Sequence, residues 1–515
     1  MAELNTNYNV VKKPSQESLF TEEEFNEFIK CGTDFFYFLR NYCYVQHPAV
    51  GACLFKPRVY QKDMLDMMRK ERFVIFNSSR QSGKTASAAV YLVHSAIFRK
   101  DQKIGVTSRR DSDVIDIMNR IKYVYENLPW WLKPGVTEYN KKTIAFTNNS
   151  SIEAATTTDN TFRGRSMTKI FIDEFSHVKP DIAENFWSSI LPVITAATED
   201  GKESNTQVII ASTPNGTEGQ YAEIWFNAVN GENGFAHYEV DPDQIPGRDA
   251  NFEKEMLKKM TYEKYMQEYR GAFLSSKPTL IRSTVLESIK KVQPVYNDNE
   301  LYMFDSVHDR KVALSVDVGE GIGQDYHTIQ CFDIDTLEQI FEFRNNVLTQ
   351  TAFTKYLIKL MKYCFDEGAK EVYYGIESNS IGMGVINLMI NSTDPVLEKA
   401  IMVNDTKNHP RKRGIPTTSN TKKRGCMLLK DLVENYKMTI RSERLISELK
   451  FFVKKGVSYA SERVNGHDDL VMSTVVFCNM LEILSRHEET VYDTLNDIDV
   501  SEGEEDYVDE PMPII

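Results

Sequence analysis

No stretch of this 515-residue chain stays apolar long enough to cross a bilayer. The longest candidate, Val471 to Leu484, is broken by Ser473, Thr474, Asn479 and Glu482, whereas a spanning helix needs ~20 apolar residues. No membrane association is expected. The first residues, MAELNTNYNVVKKPSQESLFTEEEF, are polar and acidic and lack the apolar core of a secretion signal. Cysteine is scarce: seven, at 31, 43, 53, 331, 364, 426 and 478, an odd number without any C-x-x-C pair. This argues against a disulfide framework or a cysteine-built zinc site and points to free thiols in a reducing compartment. Net positive charge is also missing, at −13 overall. The deficit is local, because the segment from Arg486 to Ile515 carries eleven acids and one arginine, leaving −3 for the rest. Within that rest, Lys407 to Lys430 holds eight Lys/Arg and no acid. Such a block can meet phosphates, and it can equally be a solvated loop.

What is present reads as two alternating strand–helix patterns. Residues 1–55 are aromatic-rich and read as a helical packing segment. Phe73 to Asn77, Lys103 to Thr107, Ile170 to Ile172 and Val208 to Ala211 are short dry runs typical of a buried parallel sheet. Helical stretches lie between them, and an amphipathic helical region, Asn251 to Phe273, closes this part, giving a first domain over 56–276. Residues 277–300 read as a linker. A second domain over 301–485 follows, with strands at Val312 to Val316, Cys331 to Ile334, Gln339 to Arg344 and Val372 to Ile376, and closing helices over Ser442 to Val453 and Asp469 to Leu484. Residues 486–515 read as an acidic, disordered tail.

Three motifs in the first domain point to nucleotide hydrolysis. After the strand ending at Asn77 comes SSRQSGKT, in which Gly83, Lys84 and Thr85 end a phosphate loop. Backbone N–H groups of Ser79, Arg80, Gln81, Ser82 and Gly83 would cradle phosphates at a helix N-terminus. Lys84 would neutralise the outer phosphates, and the Thr85 hydroxyl would ligate Mg²⁺. Ser78 stands where the pattern usually has its first glycine. KIFIDEFS then ends a dry strand in Asp173 and Glu174. Asp173 suits the Mg²⁺ shell, and Glu174 can orient and deprotonate a water. VIIASTPNG empties a third strand into Ser212, Thr213 and Pro214, suited to sensing the outer phosphate. Gln61 is a candidate adenine contact, and Arg80 and Arg163 are candidate transition-state cations.

The second domain has acids at the tips of dry elements instead: Asp317 after VALSV, Glu377 after VYYGI, and Asp468 and Asp469 before an apolar helix. Asp325 lies eight residues beyond Asp317. Carboxylates packed together repel and call for a cation; an all-oxygen set favours Mg²⁺ or Mn²⁺. A pair of such ions, held ~3.5–4 Å apart, cuts phosphodiesters in known two-metal sites. The strand–hairpin–helix order carrying Asp, Glu and Asp is similar to the RNase H-like nuclease fold.

Together these motifs, over roughly residues 55 to 480, resemble the large terminase subunit of tailed bacteriophages, most of all those of large contractile-tailed phages. In that family the phosphate loop often reads S-R-Q-x-G-K-T, as Ser79 to Thr85 do, so Ser78 is a family trait. The resemblance implies an α/β chain: an N-terminal RecA-like (ASCE) P-loop ATPase domain followed by a C-terminal RNase H-like nuclease domain. It places the Walker B acids at Asp173 and Glu174, the coupling motif at Ser212-Thr213-Pro214, the adenine-contacting glutamine at Gln61 and a trans-acting arginine at Arg163. The nuclease acids fall on Asp317, Glu377 and Asp469, with Asp468 an alternative and Asp325 accessory. It further implies ATP-driven movement of double-stranded DNA into a procapsid and metal-dependent cutting of the concatemer. The implied partners are the portal protein, a small terminase subunit and further copies in a ring, commonly of five, in the host cytoplasm at the portal vertex. Arg411, Lys412, Arg413, Lys422, Lys423 and Arg424 are the candidate DNA contacts. A helicase with an associated nuclease and a nucleotide-switched capsid scaffold are the alternatives; the second domain's acid cluster disfavours the first, and Glu174 with that cluster disfavours the second.

Overall fold

The computed structural model describes residues 10–16, 19–47, 50–195, 206–274, 278–321, 325–379, 381–405, 413–455, 458–461 and 467–485. The chain divides into two compact units, Met1–Ser276 and Lys277–Ile515.

The first unit is built on an eight-stranded sheet. Its strands are β1 (Phe73–Asn77), β2 (Lys103–Ser108), β3 (Val136–Asn140), β4 (Thr143–Phe146), β5 (Ser151–Thr156), β6 (Lys169–Asp173), β7 (Gln207–Ser212) and β8 (Ala236–Glu239). The order is β8-β1-β7-β6-β2-β5-β4-β3. From β8 to β5 all pairs are parallel; β4 and β3 add an antiparallel edge. Parallel strands need crossovers; helices α2 (Lys84–Phe98) and α3 (Asp111–Glu126) lie between strands, and α1 (Val59–Lys70) leads into β1. Strands β6 and β7 are buried at every residue, as two-sided burial of a parallel sheet requires. The central order 5-1-4-3-2, counting β1, β2, β6, β7 and β8 as 1 to 5, is that of a RecA-like (ASCE) P-loop ATPase fold. It puts the ends of β1, β6 and β7 side by side.

Three local expectations are corrected. Residues 44–54 form an antiparallel hairpin, Tyr44–His47 with Gly51–Leu54, where helix was expected; β-branched and small residues flank a left-handed Gly51 (φ 71°). The segment 251–273 is two helices, α4 (Ala250–Leu257) and α5 (Tyr262–Tyr269), because Thr261 caps a new helix by accepting the Lys264 N–H. The expected helix over 442–453 stops at Phe451 and continues as the strand Phe452–Lys455, paired with Ser458–Ser461.

The second unit has a seven-stranded mixed sheet: β9 (Tyr296–Asn297), β10 (Leu301–Met303), β11 (Lys311–Asp317), β12 (His327–Asp333), β13 (Gln339–Asn345), β14 (Glu371–Ile376) and β15 (Ile401–Met402). Within the stretch read as a linker, Ser283–Ser288 is helical and β9 pairs with β10. The order β9-β10-β13-β12-β11-β14-β15 has antiparallel β11–β12–β13 pairs and parallel β11–β14 and β14–β15 pairs. Counting β11 to β15 as 1 to 5, the order 3-2-1-4-5 is that of the RNase H-like fold. Helices α6 (Gln350–Asp366), α7 (Gly382–Ile390), α8 (Ser419–Glu434), α9 (Glu443–Phe451) and α10 (Asp469–Ser485) complete it. Helix α10 packs on β11, β12 and β14 and is buried almost all round, which explains its apolar sequence without a membrane. Among the described residues, no helix is long and apolar enough to cross one. The seven cysteines are free. The candidate acidic tail, 486–515, lies outside the described residues.

Candidate active sites

In the first unit, β1 runs into the phosphate loop and α2 begins at Lys84. The loop's left-handed positions are Gln81 (φ 61°) and Gly83 (φ 80°). Ser78 keeps an ordinary backbone, so nothing there demands glycine; it is buried, and its N–H donates to Ser212 O at 3.1 Å. Gly83 is required twice: its φ favours glycine, and a Cβ would lie 2.4 Å from Gln61 Nε2. Gln61 itself is buried, donates to Ser82 O at 3.2 Å and accepts from Arg58 N–H. Tyr60 also donates to Ser82 O, at 2.9 Å. Both residues thereby brace the loop from α1.

Sheet order brings the motif residues together. Thr85 Oγ1 donates to Asp173 Oδ2 at 3.1 Å. Lys84 Nζ lies 2.8 Å from Glu174 Oε1 and 3.2 Å from Thr213 Oγ1. Glu174 sits in the left-handed region (φ 53°), a conformation uncommon for such a side chain, and its N–H is tied to Ala211 O on β7. Burial raises the Asp173 carboxyl to about 7. Burial opposes ionisation of Glu174 as well, but the Lys84 ammonium more than offsets it and holds the group below its ordinary value. His177 stands 3.6 Å from the other Glu174 oxygen. Asp173 Oδ1 is buried with no hydrogen-bond partner among the described residues. That bare oxygen beside the Thr85 hydroxyl fits a hard divalent cation.

The Ser212-Thr213-Pro214 segment is wired to the same corner. Ser212 Oγ bonds Ser176 Oγ at 2.9 Å, and Ser176 Oγ donates to Thr213 O at 2.5 Å. Gln267 on α5 donates to Pro214 O and to Asn215 Oδ1, both at 3.1 Å. Arg248, just before α4, and Glu268 on α5 grip the phosphate loop too. Arg80 forms an ion pair with Glu268. Arg248 donates to Ser79 Oγ at 2.9 Å, to Tyr269 O at 2.5 Å and to Arg80 O. Arg248, Gln267 and Glu268 escape sequence reading because they lie more than 160 residues from the loop and carry no motif. A hydrogen bond from a charged donor contributes ~1.5–3 kcal/mol. Arg248→Ala is therefore expected to raise KM for ATP roughly tenfold or more, with a smaller change in kcat, in steady-state ATPase assays. Arg163 lies elsewhere, exposed on the turn after β5, and donates to Asn160 Oδ1 at 3.2 Å.

In the second unit, parallel pairing of β11 with β14 sets Asp317 and Glu377 at adjacent strand ends. Both are buried. The α10 N-terminus adds Asp468 and Asp469, half-buried. Burial, the Glu377 carboxyl that shares a hydrogen bond with it, and the charges of Asp469 and Asp468 push the Asp317 carboxyl well up. Burial also raises Asp468, against the pull of Lys422. Asn379 donates to Glu377 Oε2 at 3.0 Å. Tyr326 N–H donates to Asp469 Oδ2 at 3.2 Å, and His467 Nδ1 is 3.4 Å from that oxygen. The donor set is all-oxygen and suits Mg²⁺ or Mn²⁺ chemically. Among the described residues, however, no three such side chains surround a single point in ligating geometry. Asp325 is exposed on the loop before β12. A Cβ on Gly382 would lie 1.9 Å from Glu377 O. Gly382→Ala is thus expected to displace Glu377 and cut nuclease turnover at least tenfold, by a plasmid-nicking assay, with ATPase unchanged. The stability cost falls within the ~1–3 kcal/mol of overpacking.

Of the basic block, Arg411 and Lys412 lie outside the described residues. Arg413 and Lys423 are exposed, Lys422 lies over the Phe452 ring at 5.6 Å, and Arg424 pairs with Glu482 at 2.5 Å.

A buried parallel sheet that gathers a phosphate loop, two acids and a polar strand end defines a P-loop NTPase unit. Comparison with known families is more specific. Residues 75–287 match the family described as "Terminase large subunit, T4likevirus-type, N-terminal". Among solved structures, the chain is similar to the HK97 bacteriophage large terminase, at 12% identity over 87% of this chain and 99% of that one, with a TM-score of 0.40. The large terminase of a thermophilic bacteriophage matches at 11% identity over 82% of this chain and 99% of that one, with a TM-score of 0.35. The large terminase nuclease of thermophilic phage G20c with bound magnesium matches at 16% over 40% and 97%, with a TM-score of 0.31. The fold assignment rests on the strand orders of this chain.

Proposed function

We propose that this chain hydrolyses ATP to drive double-stranded DNA into a procapsid and cuts that DNA with its second unit. One observation carries the reading: Lys84, Thr85, Asp173 and Glu174 meet at the strand ends of a segment that matches the terminase family model. Lys84 holds Glu174 in an ion pair. ATP phosphates compete for the Lys84 ammonium and release the carboxylate, which then orients a water and accepts its proton as the water attacks the terminal phosphate. Thr85 and Asp173 would hold Mg²⁺, which when bound supplies neutralisation of phosphate charge. Loss of the Lys84–Thr213 bond carries the change into the Ser212–Asn215 segment and, through Gln267, into α5. Gln61 is the proposed adenine-side contact. Arg163, exposed and weakly engaged, is available to a neighbouring subunit in a ring of, we infer, five copies. Arg80, tied to Glu268, is the less available cation.

In the second unit Asp317, Glu377 and Asp469 would hold Mg²⁺ or Mn²⁺, with Asp468 and Asp325 as accessory acids; the bound ions supply Lewis acidity for phosphodiester cleavage. The portal protein and a small terminase subunit are the proposed partners, in the host cytoplasm at the portal vertex. The decisive test is ATP-dependent filling of procapsids without strand displacement. Unwinding of a forked duplex with no filling would instead support a helicase. DNA grip by Arg413, Lys422 and Lys423 should be made mainly to phosphates. Their triple reversal to Glu is expected to weaken binding at low salt and to flatten the salt slope by ~0.9 per lost phosphate contact, measured by fluorescence anisotropy. Unchanged binding would remove them from the interface.

A further inference from the structure

Helix α10 starts with an anomaly. Asp468 occupies its N-cap position, and an Asp there ordinarily accepts the N–H of the second or third helical residue. Here it does not. Glu448, reaching across from α9, accepts both donors through one oxygen: Leu470 N–H at 2.9 Å and Val471 N–H at 3.1 Å. Asp468 Oδ2 instead accepts the Ser461 N–H at 3.2 Å, and Asp469 Oδ2 the Tyr326 N–H. Glu448 is 4% exposed, and its other oxygen is buried with no hydrogen-bond partner among the described residues. Burying an acid beside two aspartates is costly. If capping were its only purpose, Asp468 would suffice, at no such cost.

We propose that Glu448 is a positioning residue of the acid centre: it caps α10 in place of Asp468 and so leaves Asp468 and Asp469 free to face Asp317 and Glu377. The proposal rests on the nuclease reading of that centre. Glu448 touches neither DNA nor the reacting atoms; it acts through the orientation of two aspartates. Without it, Asp468 turns back to cap its own helix and is withdrawn from the cluster.

Two measurements on the full chain test this. In Glu448→Ala, plasmid cleavage should fall at least about tenfold and calorimetric Mn²⁺ affinity should drop about 10–100-fold, the range for partners of metal ligands. ATPase activity, housed in the other unit, should stay unchanged. Glu448→Gln keeps an acceptor oxygen and should retain most cleavage; Glu448→Asp, one methylene short, should behave like alanine and serves if the alanine variant fails to fold. Hydrogen exchange of the Leu470 and Val471 amides, read without metal, reports the cap itself. Both amides should stay protected in Glu448→Ala, because Asp468 takes over, and become fast only in Glu448→Ala/Asp468→Ala. Wild-type cleavage and Mn²⁺ affinity in Glu448→Ala, equal loss in Glu448→Gln, or fast exchange in the single alanine variant would each overturn the proposal. If the wild-type chain fails to cut DNA, the nuclease reading falls, while the exchange data still decide whether Asp468 replaces Glu448.

Discussion

Glu174→Ala is expected to lower ATP turnover by on the order of 10²–10⁴, the contribution of a positioned general base, while ATP binding stays equal or tightens. The second half of this expectation comes from the structure. Glu174 lies 2.8 Å from Lys84 and would compete with phosphate for it; removing it leaves the ammonium to the nucleotide. Single-turnover hydrolysis combined with equilibrium binding of a fluorescent ATP analogue separates the two effects. Glu174→Gln should behave alike in turnover, because an amide cannot take the proton. Cleavage of plasmid DNA should persist in both variants. Loss of ATP binding along with turnover would mean that Glu174 shapes the loop and does not act on water.

Asp317→Asn should do the reverse: abolish DNA cleavage, by roughly a thousandfold if several kcal/mol of metal-assisted stabilisation are lost, and leave ATP hydrolysis intact. It should also stabilise the metal-free chain. The folded-state pKa of Asp317 lies well above its ordinary value because of burial and the neighbouring carboxyls. A group raised in this way favours the folded state fully below its unfolded pKa, about 3.9. That advantage is lost as pH rises through the folded value. Above that folded value the metal-free wild type therefore carries mutual repulsion that the asparagine variant lacks. Each ~1 kcal/mol recovered raises Tm by roughly 2–4 °C in a unit of this size, seen by calorimetry in EDTA. Added Mn²⁺ should stabilise the wild type and do little for the variant. A variant less stable than wild type in EDTA at every alkaline pH would contradict the repulsive cluster.

Much of the arrangement was legible because its signals are local. A dry strand followed by Gly83-Lys84-Thr85, another ending in Asp173-Glu174, and acids at the tips of Val312 to Val316 and Val372 to Ile376 are statements about a few consecutive residues. Their elements form where expected because two-sided burial demands continuous apolar runs. The hairpin at 44–54 was missed because aromatic and β-branched residues serve helix or strand equally, and the deciding turn rests on Gly51. The break at Thr261 was missed because a cap competes with helix continuation over a span of only a few residues. Arg248, Gln267, Glu268 and Glu448 carry no local signal; polar residues on helices and loops ordinarily face solvent.

The sequence by itself determined which chemical groups the chain offers and the strand ends on which most of them stand, because side-chain chemistry and apolar periodicity are properties of neighbouring residues. Why Ser78 is tolerated came from the structure, which puts the loop's left-handed turns on Gln81 and Gly83. Tertiary structure alone decided what those groups do to one another. Only the 5-1-4-3-2 order brings Lys84 to Glu174 and Thr213, and only the 3-2-1-4-5 order sets Asp317 beside Glu377. Only the packing of α9 on α10 lets Glu448 take the amides that Asp468 would otherwise cap. These are contacts between residues tens to hundreds of positions apart, fixed by burial of whole elements and invisible to any reading of spacing.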